Sequence, residues 1–221
     1  MNDQNIAMGR SEASILATNK VLKNTYMLLS FTLVFSGIMA YVGMAINLGH
    51  GAALISSIAA IAMLWFVLPR TANSSAGIPV LFAITGLLGL GLAPMLNHYL
   101  AVNPSIVSTA LGGTGVIFLG LSGYALTTRK DFSFMGGFLM VGLLVVLVAA
   151  LANIFLQMPV MGLVVSGAIV MLMSGYILYE TSSIIHGGET NYIMATASLF
   201  ISLLNMFQAL MHLLGALGGD D

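Results

Sequence analysis

Seven long apolar runs divide the chain, and short polar or turn-forming stretches separate them. A helix needs about twenty mostly apolar residues to cross the hydrocarbon core of a bilayer, so each run predicts one transmembrane helix. The chain is therefore predicted to be an all-α integral membrane protein with seven transmembrane helices. The predicted helices are approximately Tyr26–Ile46, Ala52–Leu68, Ile78–Asn97, Ile106–Thr127, Phe132–Leu156, Val160–Glu180 (or a little beyond) and Tyr192–Leu217.

The last run carries a polar stripe. Its members are Ser198, Ser202, Asn205 and His212. At about 100° per residue these side chains fall within an arc of about 80° on one helical face. Hydrocarbon offers such groups no hydrogen-bond partner, so the stripe must face protein or water. We therefore expect the last helix to lie at the centre of the bundle with this face turned inward.

Composition supports the membrane assignment and excludes several kinds of partner. Apolar residues make up 59% of the chain and charged residues only 6%, against about a quarter charged in soluble domains. The net charge of −1 gives no basis for binding nucleic acid. The chain has no cysteine, which excludes disulfides and thiolate metal sites. The expected surroundings are the lipid bilayer.

The six lysines and arginines predict the orientation. They lie before the first helix, between the second and third, and between the fourth and fifth, at Arg10, Lys20, Lys23, Arg70, Arg129 and Lys130. The positive-inside rule makes that side cytoplasmic. The N-terminus is then cytoplasmic and the C-terminus periplasmic. Residues 1–24 are expected to form a flexible cytoplasmic tail, and residues 25–221 the transmembrane bundle.

The segment between the last two helices concentrates ionisable groups. Glu180 is the acid expected at membrane depth, and an intramembrane carboxylate is by default a functional hypothesis. The alternative is an interfacial glutamate in the headgroup layer. Arg70, at the end of the second helix, is a candidate partner. His186 and Glu189 could join Glu180 in a proton-sensitive cluster, because histidine titrates near neutral pH; a solvated hinge is the alternative.

Enzyme signatures are absent from the sequence. It contains no HExxH, no GxSxG and no phosphate-binding P-loop. The four histidines are scattered over both predicted faces of the membrane. We predict no catalytic residue, no cofactor and no metal site, and interpret the chain as not an enzyme.

Four longer stretches carry a resemblance to a known family. They are residues 20–26 (KVLKNTY), 127–134 (TTRKDFSF), 152–157 (ANIFLQ) and 180–192 (ETSSIIHGGETNY). On these stretches the chain is similar to the Bax inhibitor family of seven-helix membrane proteins. One bacterial branch of that family is associated with the membrane-bound ATP-dependent protease FtsH, as substrate and as inhibitor. The resemblance implies the same role here, in the bacterial inner membrane, with the N-terminal tail as the segment that the protease grips.

Other bacterial relatives imply an alternative, a pH-sensitive calcium leak. In them two acids bridge the last two helices, and an arginine contacts one acid. The corresponding residues here are Glu180, Ser202 and, approximately, Arg70. Two close carboxylates share a proton and titrate as a pair, which one glutamate and one serine cannot do. Calcium also prefers several charged oxygens. The departure at Ser202 favours the protease modulator and leaves the leak as the alternative.

Overall fold

The structure is a computed structural model, and it describes residues 2–218, with side chains from Leu16 onward. Within that part all regular elements are helices, and seven segments are long and apolar enough to cross a membrane. The prediction of seven spanning helices is confirmed. The helices are α1 (Asn2–Ala45), α2 (His50–Thr71), α3 (Gly77–Val102), α4 (Pro104–Thr128), α5 (Met135–Leu156), α6 (Pro159–Ile185) and α7 (Tyr192–Leu217).

Helix α1 is longer than predicted. It begins at Asn2, and its membrane-compatible part begins at Leu16, so the residues assigned to a tail continue the first helix. The division into a flexible tail and a bundle stays a prediction. The side chains of residues 1–15, Arg10 among them, and the C-terminal residues 219–221 lie outside the described part.

Helix α2 passes the proline that was expected to end it. Pro69 has no N–H, and its ring would clash with the carbonyl of Trp65 in a regular α-helix. The helix widens into a π-helical turn at Met63–Val67, in which the Leu68 N–H bonds to the carbonyl five residues back, and it then continues to Thr71. The end of the second helix predicted at Leu68 was therefore too early, and Arg70 belongs to the helix.

Helix α7 is the most buried of the seven. It contacts α1, α3, α4 and α6. In its apolar 18-residue stretch 56% of the residues are buried, against 6% in the corresponding stretch of α5. Phe200, Leu203 and Met206 of α7 pack with Leu29 of α1 and Ile177 of α6 in the largest core cluster. Helix α5 lies at the edge and packs mainly on α6, so most of its apolar surface is left for the bilayer.

The glycines of α3 and α4 have different surroundings. In α3 a Cβ on Gly89 would lie 2.2 Å from the Ser36 carbonyl oxygen, so that α1 and α3 touch backbone to backbone. Close approach at small residues is typical of membrane helices. In α4, Gly112, Gly115 and Gly120 have open space where a Cβ would stand. Gly89 of α3 is therefore a packing position, whereas these three glycines of α4 are not.

Substitution of Gly89 tests this difference. We expect Gly89→Ala to lower the free energy of unfolding by about 1–3 kcal/mol, because the methyl group forces α1 away from α3. Gly120→Ala is the matched control, and it should be neutral or stabilising by up to about 1 kcal/mol because alanine is the better helix former. Reversible unfolding in mixed micelles measures both. Equal effects of the two variants would contradict the packing argument.

Candidate functional site

The α6–α7 hinge, residues 186–191, is a defined turn between two helices. Gly187 has φ 76°, a left-handed conformation that glycine adopts without steric cost, and the Gly188 N–H bonds back to the Ser183 carbonyl at 2.8 Å. Asn191 begins α7: its Oδ1 accepts from the N–H groups of Ile193 and Met194. The asparagine N-cap satisfies two donors that the helix cannot satisfy itself.

Glu180 lies five residues before the end of α6, within the segment compatible with the membrane. It is half-buried, and its carboxyl faces the Ser198 hydroxyl of α7. The charged group that acts on this carboxyl is a second acid, Glu189 of the hinge. Glu189 in turn accepts a hydrogen bond from the Asn191 N–H at 2.7 Å. Glu189 is therefore near enough to act electrostatically on Glu180, and the proton-sensitive cluster of Glu180, His186 and Glu189 stays a prediction.

Arg70 is not brought to Glu180. It is exposed at the end of α2, and its guanidinium donates to the Phe66 carbonyl of its own helix. In the family pattern an arginine contacts the acid. In this chain the corresponding Arg70 is hydrogen-bonded within its own helix instead.

The polar stripe of α7 is divided between local and interhelical partners. Ser202 is buried and donates to the Ser198 carbonyl at 3.1 Å, and Asn205 donates to the Ile201 carbonyl at 2.9 Å. Both bonds stay within α7, which is the usual way for such side chains to be satisfied in helices. His212 Nδ1 lies 2.9 Å from the hydroxyl of Ser166 in α6. Ser198, which lies one turn before Ser202 on the same face of α7, is the serine that interacts with the Glu180 carboxyl, and the assignment of Ser202 to the cluster stays a prediction.

The α2–α3 and α4–α5 loops lie at the same end of the bundle as the hinge, which we call the hinge end. Both are hydrogen-bonded to the hinge or to the last turn of α6. The Asn191 amide donates to the Ala72 carbonyl at 3.1 Å and to Asn73 Oδ1 at 2.8 Å, which holds the α2–α3 loop. Ser182 accepts from the Phe132 N–H at 2.9 Å and donates to the Lys130 carbonyl at 3.2 Å, which holds the α4–α5 loop. Sequence analysis did not identify Asn191 or Ser182, although an asparagine directly before an apolar run is a helix-start signal.

Helix α1 is also fastened near the hinge. The Thr196 hydroxyl of α7 lies 3.3 Å from the carbonyl of Thr25, and the hydroxyls of Tyr26 and Thr181 are 3.3 Å apart. A cavity of about 180 Å³ lies between α1 and the hinge. Its lining residues are Thr18, Asn19, Leu22, Leu126, Arg129, Ile185, His186 and Gly187.

Among the described residues there is no group of three or more histidine, aspartate or glutamate side chains placed to hold a metal ion. Asp131, in the α4–α5 loop, accepts from the Ser133 N–H at 2.9 Å and from its hydroxyl. These hydrogen bonds, and more weakly the nearby His186, lower the pKa of Asp131 below its usual value. Asp131 thus keeps its negative charge beside His186 at neutral pH.

This architecture defines a helical multi-pass membrane protein in which two loops, α2–α3 and α4–α5, are hydrogen-bonded to the α6–α7 region. The sequence profile described as "Inhibitor of apoptosis-promoting Bax1" matches residues 18–219. The chain belongs to this family, the Bax inhibitor family.

Bacterial relatives match over nearly the whole chain. An uncharacterized membrane protein of Vibrio cholerae is 50% identical over 93% of each chain. A protein of Escherichia coli K12 named "Modulator of FtsH protease YccA" is 47% identical over 99% of this chain and 100% of its own. The protein of a second E. coli strain, with the same identity and coverage, is named "Inner membrane protein YccA". Together with the seven apolar helices, this similarity identifies a protein of the inner membrane.

Proposed function

We propose that this protein binds the membrane-bound ATP-dependent protease FtsH and inhibits it, and that it is itself a potential substrate. The observation that carries the proposal is the 47% identity, over 99% of this chain and 100% of the relative, to the protein named as a modulator of that protease. In this proposal the hinge end and the start of α1 face the cytoplasm, where ATP is available, and the opposite end faces the periplasm. The positions of Arg70, Arg129 and Lys130 at the hinge end support that orientation.

The packing of α1 suggests how inhibition arises. An ATP-dependent protease that grips the residues before Leu16 pulls on α1. That helix lies backbone to backbone on α3 at Gly89, and it is hydrogen-bonded to α7 and α6 near the hinge. The pulling force is therefore shared by three other helices. A substrate that is gripped easily and extracted slowly occupies the protease and excludes other substrates.

The alternative from the sequence, a calcium leak with Glu180 as the proton or cation sensor, has less support. Ser202 occupies the position of the second acid, and its hydroxyl is bonded to the Ser198 carbonyl. Arg70 is bonded to its own helix. The chain thus lacks two contacts on which the family's leak pattern depends, and the proposed cluster of Glu180, Ser202 and Arg70 stays a prediction.

Reconstitution with purified protease tests the proposal. We expect this protein to slow the degradation of a second membrane substrate in proteoliposomes at a constant protease concentration, and to co-purify with the protease when ATP hydrolysis is blocked. An unrelated seven-helix protein at the same density is the control. Full degradation of the second substrate at saturating amounts of this protein, with no co-purification, would refute the proposal.

A further inference from the structure

An apolar groove of about 350 Å³ runs along the half of the bundle that lies away from the hinge end. Its two walls are α1 and α4. Among the described residues the backbones of these two helices hardly approach each other, although both pack on α7. Helix α7 forms the floor of the groove with Phe200, Leu203 and Phe207, and α3 contributes Leu92 and Leu96.

The length of the groove corresponds to one leaflet of a bilayer. It runs from Leu33 to Met44 along α1 and from Phe118 to Val107 along α4, which is about 16 Å on each helix. Leu33 and Phe118 lie near the middle of their membrane-compatible helices, and Met44 and Val107 lie near the ends away from the hinge. Half of the hydrocarbon core is about 15 Å thick. The groove therefore extends from the middle of the membrane to the headgroup region.

The width of the groove limits what it can hold. A volume of about 350 Å³ over this length corresponds to a width of about 5 Å, whereas a helix with its side chains is about 10 Å across. Toward the hinge end the rings of Tyr26 and Phe118 lie 5.8 Å apart between centroids and bridge α1 and α4. The groove thus has room for one extended hydrocarbon chain and not for a further helix.

The lining of the groove is suited to hydrocarbon and not to water. Apart from Ser36 and Thr114, every lining residue is apolar or a glycine. The Thr114 hydroxyl donates to the Ala110 carbonyl of its own helix at 2.8 Å. An ordered water needs two to four polar partners, which this lining does not supply. A hydrocarbon chain gains dispersion contacts with the same side chains.

Two glycines keep the groove open. Gly37 of α1 and Gly115 of α4 both line it, and neither has another atom within 4 Å of the place where a Cβ would stand. This differs from Gly89, where the same space is filled by the backbone of α1. A larger side chain at position 37 or 115 would therefore occupy the groove itself.

We propose that the groove binds one acyl chain of a bilayer phospholipid, from the leaflet away from the hinge end. The groove opens sideways to the bilayer beside Leu111, which is 64% exposed. Because the groove spans a single leaflet, a chain can enter it while its headgroup stays at the membrane surface. The bound chain completes the packing between α1 and α4 on the floor that α7 provides. This inference is independent of the proposed inhibition of a protease.

Photo-crosslinking of the full-length protein tests the proposal. The protein is placed in nanodiscs of phosphatidylethanolamine and phosphatidylglycerol with a trace of phosphatidylcholine that carries a diazirine on one acyl chain, and mass spectrometry locates the adducts. No residue of α7 from 192 to 211 is exposed, so adducts at residues 200–207 require a chain inside the groove. Helix α5, which faces the lipid, serves as the internal reference. We expect adducts on both helices, and adducts on α5 alone would overturn the proposal.

Filling the groove should remove the adducts on α7. In the double variant Gly37→Leu with Gly115→Leu, adducts at residues 200–207 should fall about fivefold or more relative to α5, because the leucines occupy the space of the chain. Gly120→Leu is the matched control: Gly120 also has open space at its Cβ position but does not line the groove. It should be labelled like the wild type. Equal labelling of α7 in the double variant, with the helix content unchanged, would overturn the proposal.

The wild type alone decides the matter should the filled variants fail to fold. Phe207 lies toward the headgroup end of the groove and Phe200 toward the middle of the membrane. A diazirine close to the headgroup should therefore label Phe207, and one close to the end of the chain should label Phe200. The reverse order, or no dependence on the position of the diazirine, would overturn the proposal.

Two further results would assign the groove to another occupant. Suppression of the α7 adducts by a small excess of free fatty acid would show that the site selects a free acid over a phospholipid chain. Gly37→Cys would be the sole cysteine of the chain, and its nearly complete oxidation to a disulfide-linked dimer would show that a second copy covers the groove. Either result would overturn the proposal, and we expect neither.

Discussion

Deletion of residues 1–15 is expected to slow degradation of this protein by FtsH at least about tenfold, because the deletion removes the polar segment that precedes the membrane-compatible part of α1. The other segments at the hinge end are short, and the structure fastens them. Asn191 holds the α2–α3 loop, and Ser182 holds the α4–α5 loop. Neither of these two loops offers a protease a free stretch on which to begin pulling.

We expect the bundle to fold without residues 1–15, because Thr25, Tyr26 and Ser36, which join α1 to the other helices, all remain. Degradation is measured in proteoliposomes with purified protease, and circular dichroism checks the helix content. A variant in which residues 1–15 are replaced by an unrelated polar sequence of the same length should be degraded at the wild-type rate. Unchanged degradation of the deletion variant would show that the protease begins elsewhere.

The variant that lacks residues 1–15 should also be a weaker inhibitor of the protease. A deletion variant that cannot be gripped no longer occupies the protease, so a second membrane substrate should be degraded faster in its presence than beside the wild type. Should the deletion variant inhibit fully, inhibition would depend on docking of the bundle and not on occupation of the protease by a slow substrate. The two results therefore separate the two ways in which a modulator can act.

Hydropathy alone predicted the number of helices, because twenty apolar residues in a row have few alternatives to a membrane span. Helix ends were less predictable. Pro69 is a strong stop signal in isolation, yet the chain accommodates it with a π-helical turn and carries Arg70 on the helix. The wider turn leaves room for the proline ring, and hydropathy does not distinguish this outcome from a helix that ends before the proline.

The serine that interacts with Glu180 is a second feature that could not be predicted from the sequence. Ser198 and Ser202 lie one turn apart on the same face of α7, and the periodicity of the sequence treats them alike. Which of them meets Glu180 depends on how far α7 is shifted along α6. That shift is set by core contacts such as those of Phe200 and Ile177. The family pattern points to Ser202, and the serine that interacts with the Glu180 carboxyl is Ser198.

Substitution of Phe200 should convert the protein from a slow substrate into a fast one. Phe200 is 1% exposed and belongs to the largest core cluster, where α7 packs against α1 and α6. We expect Phe200→Ala to lower the free energy of unfolding by about 2–4 kcal/mol. This is less than the about 3–5 kcal/mol of a soluble core, because lipid hydrocarbon is a better solvent than water for the exposed ring.

The same change should speed extraction by the protease at least about tenfold, since extraction of a gripped substrate is limited by unfolding of the bundle. Phe31→Ala is the matched control. Its ring is 60% exposed on α1, so both stability and degradation should stay close to wild type. Degradation rates with saturating protease, and unfolding in mixed micelles, measure the two quantities on the same variants.

Phe200→Ala also separates binding to the protease from resistance of the bundle to unfolding. Its first fifteen residues are unchanged, so binding to the protease should be as tight as in the wild type while inhibition of a second substrate falls. Equal inhibition by Phe200→Ala and wild type, despite a measured loss of stability, would contradict the view that slow unfolding makes this protein an inhibitor. The property that turns a substrate into a modulator would then lie on the surface of the bundle and not in its core.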